Sequence, residues 1–244
     1  MKAIILAAGF GTRLKPLTDT TPKALLQVGS LSMLERAIFY LARQGVAEII
    51  VNSHYLAKQV ENFVSDNWKR WPVKVKIIFE TEILDTGGAI KNAKSFLSDS
   101  DPFIVFNVDI LTNLDLRKEI IKHNQSGAVA TLIVNNRTTN RPLLIDQNGR
   151  LAGHLNKSAN ERILVKGTQD EHLREVGFMG IHIVSTRLFE IFPLENKFSI
   201  INFYLKLAEE NIINTVEVKD VYWLDVGSRE CLQQAENDLR NGLI

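Results

Sequence analysis

Three layers, with a mostly parallel β-sheet between two sets of helices, is the α/β arrangement this chain predicts. Three observations predict it. Short β-branched apolar runs alternate with longer amphipathic stretches, the pattern of strand–helix–strand units. The runs at 2–8, 48–52, 73–79 and 103–107 are almost wholly apolar, as strands covered on both faces must be. From about residue 128 the runs shorten and turn signals appear, which adds an antiparallel lobe.

Lys2–Ala8, Glu48–Asn52, Val73–Phe79 and Phe103–Asn107 read as the parallel strands, and Ala128–Val134 and Gly177–Val184 as later ones. Between them, Ser32 with Glu35 three residues on forms a capping box for a helix over Met33–Gln44. Further helices are expected at Ala57–Asp66, Gly87–Leu97, Asp115–Gln125, Thr186–Ile191, Ile200–Glu210 and Arg229–Asn241. The segment "DQNGR" at 146–150 carries the Asn-Gly pair of a hairpin turn. With no repeat and no Pro/Gly/Ser linker, residues 1–244 read as one domain.

Composition excludes several classes. The 29 basic and 28 acidic residues leave a net charge of +1, which gives no bulk attraction for nucleic acid or an anionic membrane. The single cysteine, Cys231, precludes an internal disulfide and a Cys-based zinc site. No stretch approaches the roughly 20 apolar residues of a membrane span. A cytoplasmic chain, monomeric or a small homo-oligomer, is expected.

The chemistry concentrates after the first strand, in "LAAGFGTRLKPLTDTTPKALLQVG". A dinucleotide-binding loop would need glycine where Leu14 stands, and a Walker loop would need Lys-Ser/Thr directly after a glycine. Neither fits. Gly9 and Gly11 nevertheless let backbone N–H groups approach an anion. Arg13 offers a fork matched to phosphate oxygens and Lys23 a compact charge. Pro16 and Pro22 stiffen a loop expected to lack secondary structure of its own, and such loops are usually functional. Lys15 reads as a solvated surface lysine.

This segment resembles the signature of the sugar-1-phosphate nucleotidyltransferases, the nucleotide-sugar pyrophosphorylases. The resemblance spans residues 1 to about 240 and implies their Rossmann-like nucleotide-diphospho-sugar transferase fold, with residues 1–127 mainly for the nucleotide and 128–244 mainly for the sugar phosphate. It implies that Ala7, Ala8, Gly9, Gly11, Thr12 and Arg13 hold a nucleoside triphosphate and that Lys23 reaches the reacting phosphates. Asp109 in "FIVFNVDIL" and Asp225 in "VYWLDVGS" match the two family aspartates that hold the catalytic metal, Mg²⁺. Valine at 108 departs from the family glycine. In "FETEILDTGGAIKNA", Glu80 is implied to meet the base through its ring N–H, of uracil or of guanine, and Gly87 and Gly88 to lie against the base; Asp85 or Thr86 would cap the helix. Asn107, Glu175 and Gly177 are the sugar-phosphate candidates. Lys157 reads as a turn lysine, and His54 and Tyr55 as surface packing.

The segments "LDTGGAI", "NVDILTNLDL" and "WLDVGSRECLQQAE" look most like the compact N-acetylmuramic acid 1-phosphate uridylyltransferases of cell-wall recycling. Mannose-1-phosphate guanylyltransferases and phosphocholine cytidylyltransferases share the pattern. The chain is further expected to lack the C-terminal β-helix, and the acetyltransferase activity, of longer members. A rival from another class is a non-catalytic sensor that binds a nucleotide sugar.

Overall fold

The computed structural model describes residues 1–168 and 172–244. In chain order the strands are β1 (Lys2–Leu6), β2 (Gln27–Val28), β3 (Leu31–Ser32), β4 (Glu48–Ser53), β5 (Lys74–Phe79), β6 (Phe103–Asn107), β7 (Ile110–Thr112), β8 (Ala130–Asn135), β9 (Leu143–Ile145), β10 (Leu151–Asn156), β11 (Glu161–Leu164), β12 (Arg174–Val184), β13 (Ile213–Glu217) and β14 (Trp223–Asp225). The α-helices are α1 (Leu17–Thr20), α2 (Met33–Arg43), α3 (Ala57–Asn67), α4 (Asp85–Asn92), α5 (Lys94–Leu97), α6 (Arg117–Ser126), α7 (Leu188–Ile191), α8 (Ile200–Leu207) and α9 (Arg229–Arg240).

The main sheet runs β12-β6-β1-β4-β5, with β6, β1, β4 and β5 parallel. β12 joins β6 antiparallel, β8 joins β12, and β13 pairs with β8 in parallel. Period-two alternation explains the three layers. On β1, Ala3 and Ile5 face a core shared with Leu34, Ile38 and Leu41 of α2 and Val60 and Val64 of α3. Ile4 faces the opposite core, with Ile90 of α4, Phe96 and Leu97 of α5, and Phe203 and Tyr204 of α8. β6 divides in the same way, Ile104 and Phe106 to one side, Phe103 and Val105 to the other.

Local expectations fare unevenly. The capping box forms in full, with the Glu35 N–H donating to Ser32 Oγ at 3.2 Å and the Ser32 N–H to Glu35 Oε2 at 3.0 Å. The "DQNGR" hairpin joins β9 to β10, closed by the Asp146 N–H to the Arg150 carbonyl, with Gly149 at φ +72°. That geometry is a three-residue loop with glycine in the left-handed position. The helix expected over 87–97 is broken at Ala93 into α4 and α5. The strand at 74–79 is not covered on both faces: it is the sheet edge, alternates Lys-Val-Lys, and leaves Phe79 exposed. The antiparallel lobe is confined to β9, β10, β11 and the start of β12, because β8, β13 and the rest of β12 complete the main sheet. Among the described residues no helix is long and apolar enough to cross a membrane.

One buried group carries a pH prediction. His182 on β12 is enclosed, with Nδ1 3.2 Å from the Tyr204 hydroxyl and the Phe178 ring edge-on at 4.8 Å. Burial pulls its pKa down from 6.5 to about 3. The unfolded chain therefore takes up this proton first, so stability is lost as pH falls below about 6.5. By pH 5 the expected loss from this residue is roughly 2 kcal/mol. Denaturant unfolding at pH 7.5 and pH 5 should show it, and His182→Gln should remove about that much of the difference. An unchanged difference in the variant would refute the assignment.

Candidate active site

The site lies beyond the carboxyl ends of β1, β4 and β6, where open α/β sheets bind ligands. A cavity of about 360 Å³ is lined by Ala7, Ala8, Gly9, Gly11, Thr12 and Arg13, by Lys23, by Asn52 and Glu80, by Asp85, Thr86 and Ala89, and by Asn107, Val108, Asp109 and Gly227.

The loop after β1 is not devoid of secondary structure. It folds into three short helical turns: a 3₁₀ turn at Thr12–Leu14, α1, and a second 3₁₀ turn at Lys23–Leu25. Gly11 makes this possible. Its φ is +62°, its carbonyl accepts from the Leu14 N–H and the Thr18 hydroxyl, and a β-carbon there would meet Thr18 Cγ2 at 2.8 Å. Leu14 and Thr18, fully buried, anchor the loop from below while Thr12 and Arg13 stay exposed above. Lys15 pairs with Asp19, 3.0 Å away on the surface.

Two strand ends bring the aspartates together. The Val108 N–H continues the β6 pairing to the Leu6 carbonyl, and the Val226 N–H donates to the Asp109 carbonyl at 2.8 Å. β14 pairs antiparallel with β7, and Asp225 lies opposite Ile110. Leu224 and Val226 point into a separate core with Leu111, Val28, Met33 and Ala235, so alternation turns Asp225 to the other side, toward Asp109. Ser228 then caps α9, its Oγ accepting from the Cys231 N–H. Val108 is buried in the main core without a left-handed backbone, so the valine is absorbed by packing.

Charge at this junction is unbalanced. Lys23 Nζ is bonded to Asp109 Oδ2, with both side chains mostly buried. Arg13 lies across Gly227: a β-carbon there would fall 2.5 Å from Arg13 Nη2 and 2.7 Å from Asp225 Oδ1. Asp225 Oδ1 is buried and has no hydrogen-bond partner among the described residues. Burial, then the Asp109 charge, pushes the Asp225 pKa up, while Lys23, Arg13 and Arg137 oppose the rise. Two converging carboxylates, one with an unsatisfied oxygen, are a hard-oxygen donor set that suits a divalent cation. Among the described residues no cluster of three or more His, Cys, Asp or Glu forms, so the remaining ligands would come from water and substrate.

Glu80 is held from within the protein. The Ala7 N–H donates to Asn52 Oδ1 at 2.7 Å, Asn52 Nδ2 to Glu80 Oε1 at 2.7 Å, and the Leu84 N–H to Glu80 Oε2 at 3.2 Å. The Asn52 and Leu84 donors fix the carboxylate as an acceptor at the cavity wall. Asn52, marked in the sequence only as the end of a strand, is the link between the glycine loop and Glu80. Its signal was a polar residue at the end of an apolar strand.

Gly87 and Gly88 do not face the cavity. A β-carbon on Gly87 would collide with Phe198, and one on Gly88 with the Asn196 carbonyl, so these glycines admit the 196–198 segment. The Gly87 N–H donates to the Phe198 carbonyl at 2.9 Å. Asp85 and Thr86, which do line the cavity, fail as caps. Asp85, at φ +59°, bonds the adjacent Thr86 N–H, and Thr86 Oγ1 accepts from the Ile200 N–H. Of the sugar-phosphate candidates only Asn107 reaches the cavity. Glu175 pairs with Lys157 at 2.6 Å on the antiparallel lobe, and Gly177 packs against Arg137. His54 Nδ1 sits 2.8 Å from the Glu80 carbonyl, and Tyr55 packs edge-on to Phe10.

A family model described as "Nucleotidyl transferase" matches residues 2–242. The chain belongs to the nucleotidyl transferase family. A probable mannose-1-phosphate guanylyltransferase 1 of Oryza sativa subsp. japonica is 37% identical over 136 residues, 55% of this chain and 38% of that one. A UTP–glucose-1-phosphate uridylyltransferase of Synechocystis sp. is 28% identical over 245 residues, 93% of this chain and 60% of that one. The chain thus spans less than two thirds of either curated relative. The crystal structure of HddC from Yersinia pseudotuberculosis, complexed with GMP-PN, superposes with a TM-score of 0.75 at 26% identity over 98% of this nucleotidyl transferase and 99% of HddC.

Proposed function

We propose that this nucleotidyl transferase joins a sugar 1-phosphate to a nucleoside triphosphate, giving a nucleotide sugar and pyrophosphate. The observation that carries the reading is the meeting of Arg13, Lys23 and Asp109 at one cavity, with the buried Asp225 carboxylate close enough to Asp109, Lys23 and Arg13 to feel their charges. A phosphate oxygen of the sugar 1-phosphate attacks the α-phosphorus as the α–β phosphoanhydride bond breaks, and pyrophosphate leaves. That oxygen is already anionic, so no protein base is needed and the protein's contribution is position and charge. Arg13 and the backbone of Gly9 and Gly11 bind the phosphates that leave. Lys23 faces the reacting phosphates beside Asp109. Mg²⁺ bound by Asp109 and Asp225 would supply Lewis acidity and a template.

Glu80 is the polar group offered to the base. Held by N–H donors, its carboxylate accepts, and it can take the ring N–H of uracil or of guanine. The segments shared with compact uridylyltransferases support UTP with N-acetylmuramate 1-phosphate. The guanylyltransferases among the relatives support a second reading, GTP with mannose 1-phosphate. Pyrophosphate release should be measured for UTP, GTP, CTP and ATP against N-acetylmuramate, mannose and glucose 1-phosphates. UTP with N-acetylmuramate 1-phosphate, or GTP with mannose 1-phosphate, should give the fastest release. No release with any pair would overturn the reading in favour of a binding protein.

A further inference from the structure

Arg137 is a cation that the set above does not use. It follows β8, and its guanidinium carbon lies 4.3 Å from the centre of the Trp223 ring. Nη2 donates to the Phe178 carbonyl at 2.6 Å, Nε is buried without a hydrogen-bond partner, and Nη1 donates to no described residue. Trp223 is itself fixed, its Nε1 donating to the Met179 carbonyl at 2.9 Å. Trp223 and Asp225 alternate onto the same face of β14, and Arg137 and Asp225 attract one another there. Gly177 makes the room: a β-carbon would fall 2.6 Å from Arg137 Cγ and 2.9 Å from Nε.

Packing alone does not account for this side chain. An apolar residue would cover Trp223 without leaving a buried N–H unsatisfied, which is costly. The topology says what the charge faces. Across the sheet the order is β5, β4, β1, β6, β12, β8. Glu80, Asn52 and the glycine loop lie over β5, β4 and β1, and Asp109 follows β6. β12 runs antiparallel to β6, with Ile181 opposite Phe106, so Arg174–Met179 extends past the end of β6. Arg137 sits against that extension, at Gly177 and the Phe178 carbonyl, and is not among the residues lining the nucleotide cavity.

We infer that Arg137 is an anion-binding residue of the acceptor subsite, taking a phosphate oxygen of the sugar 1-phosphate as it approaches from the β12 side. This rests on the nucleotidyl-transfer reading. The acceptor phosphate is thereby gripped apart from Arg13, and the two substrates have separate cations.

The test uses Arg137→Gln, Arg137→Lys and Gly177→Ala, in which the new methyl pushes the guanidinium aside. Steady-state kinetics with the best substrate pair, calorimetric binding of the sugar 1-phosphate with a non-hydrolysable triphosphate analogue, and melting temperature are measured on each. Arg137→Gln should raise the acceptor KM and weaken acceptor binding by roughly 10- to 100-fold, as loss of a charge-assisted bond does, with the triphosphate KM within twofold. Arg137→Lys should recover part, and Gly177→Ala should move the same way. A fall in melting temperature with both KM values unchanged, or an equal rise in both, would overturn the inference and leave Arg137 a packing residue. A defect confined to N-acetylmuramate 1-phosphate and absent with neutral sugars would overturn the phosphate assignment. Acceptor binding without turnover in the unmodified protein would sink the transfer reading and leave Arg137 standing; turnover with an unaltered acceptor KM in Arg137→Gln would do the reverse.

Discussion

Asp225→Asn is expected to lower pyrophosphate release by about 10²–10³-fold while leaving the fold at least as stable as before. The two effects have one origin. Asp225 Oδ1 is buried without a partner, and burial and the Asp109 charge both disfavour its ionised form. Asparagine keeps the shape and removes the charge, so the cost of burying an anion beside another anion disappears. The same substitution removes the donor oxygen that a divalent cation needs. Asp109→Asn should lose as much activity but behave differently on unfolding. Asp109 is the partner of Lys23, and its neutralisation leaves a mostly buried ammonium without its counter-charge. Denaturant unfolding of both variants beside pyrophosphate release checks the pair. Near-normal turnover in Asp225→Asn would end the metal assignment. Equal destabilisation of the two variants would mean that Asp225 is structural.

Much of this site was legible because each piece obeys a local rule. The apolar strand ends, the Ser32–Glu35 box and the run from Gly9 to Lys23 all express short-range constraints, and the structure brings Arg13, Lys23, Asp109 and Asp225 to one place. What the sequence concealed depends on distant partners. β7 and β14 are three residues each, too short for a periodic signal, yet their pairing sets Asp225 beside Asp109. Gly87 and Gly88 look like a ligand-facing pair until the 196–198 segment arrives, and only then is the space they leave accounted for. Pro16 and Pro22 forbid a long helix in the loop after β1, yet they permit one short turn between them and one on either side. Arg137 had no motif at all. Its meaning comes from Trp223 and Asp225 of β14 and Gly177 of β12, all distant in sequence.

Lys23→Met should separate the two duties of the ammonium group. With substrate present, loss of a preorganised cation at the reacting phosphates is expected to cost about 10²–10³ in kcat. Without substrate, Lys23 neutralises Asp109, and through it eases the field on Asp225. The variant leaves two carboxylates facing each other with Arg13 and Arg137 as the remaining nearby cations, so it should lose about 1–3 kcal/mol in metal-free buffer. Methionine retains most of the aliphatic stem, which keeps the packing change small. Added Mg²⁺ should then raise the melting temperature of Lys23→Met by more than that of the unmodified protein, because the ion replaces the missing charge between the aspartates. An equal rise in both would show that the metal does not bind where Lys23 holds Asp109. A stability loss that Mg²⁺ leaves untouched, with kcat preserved, would make Lys23 a structural residue and remove one of the charges on which nucleotidyl transfer depends.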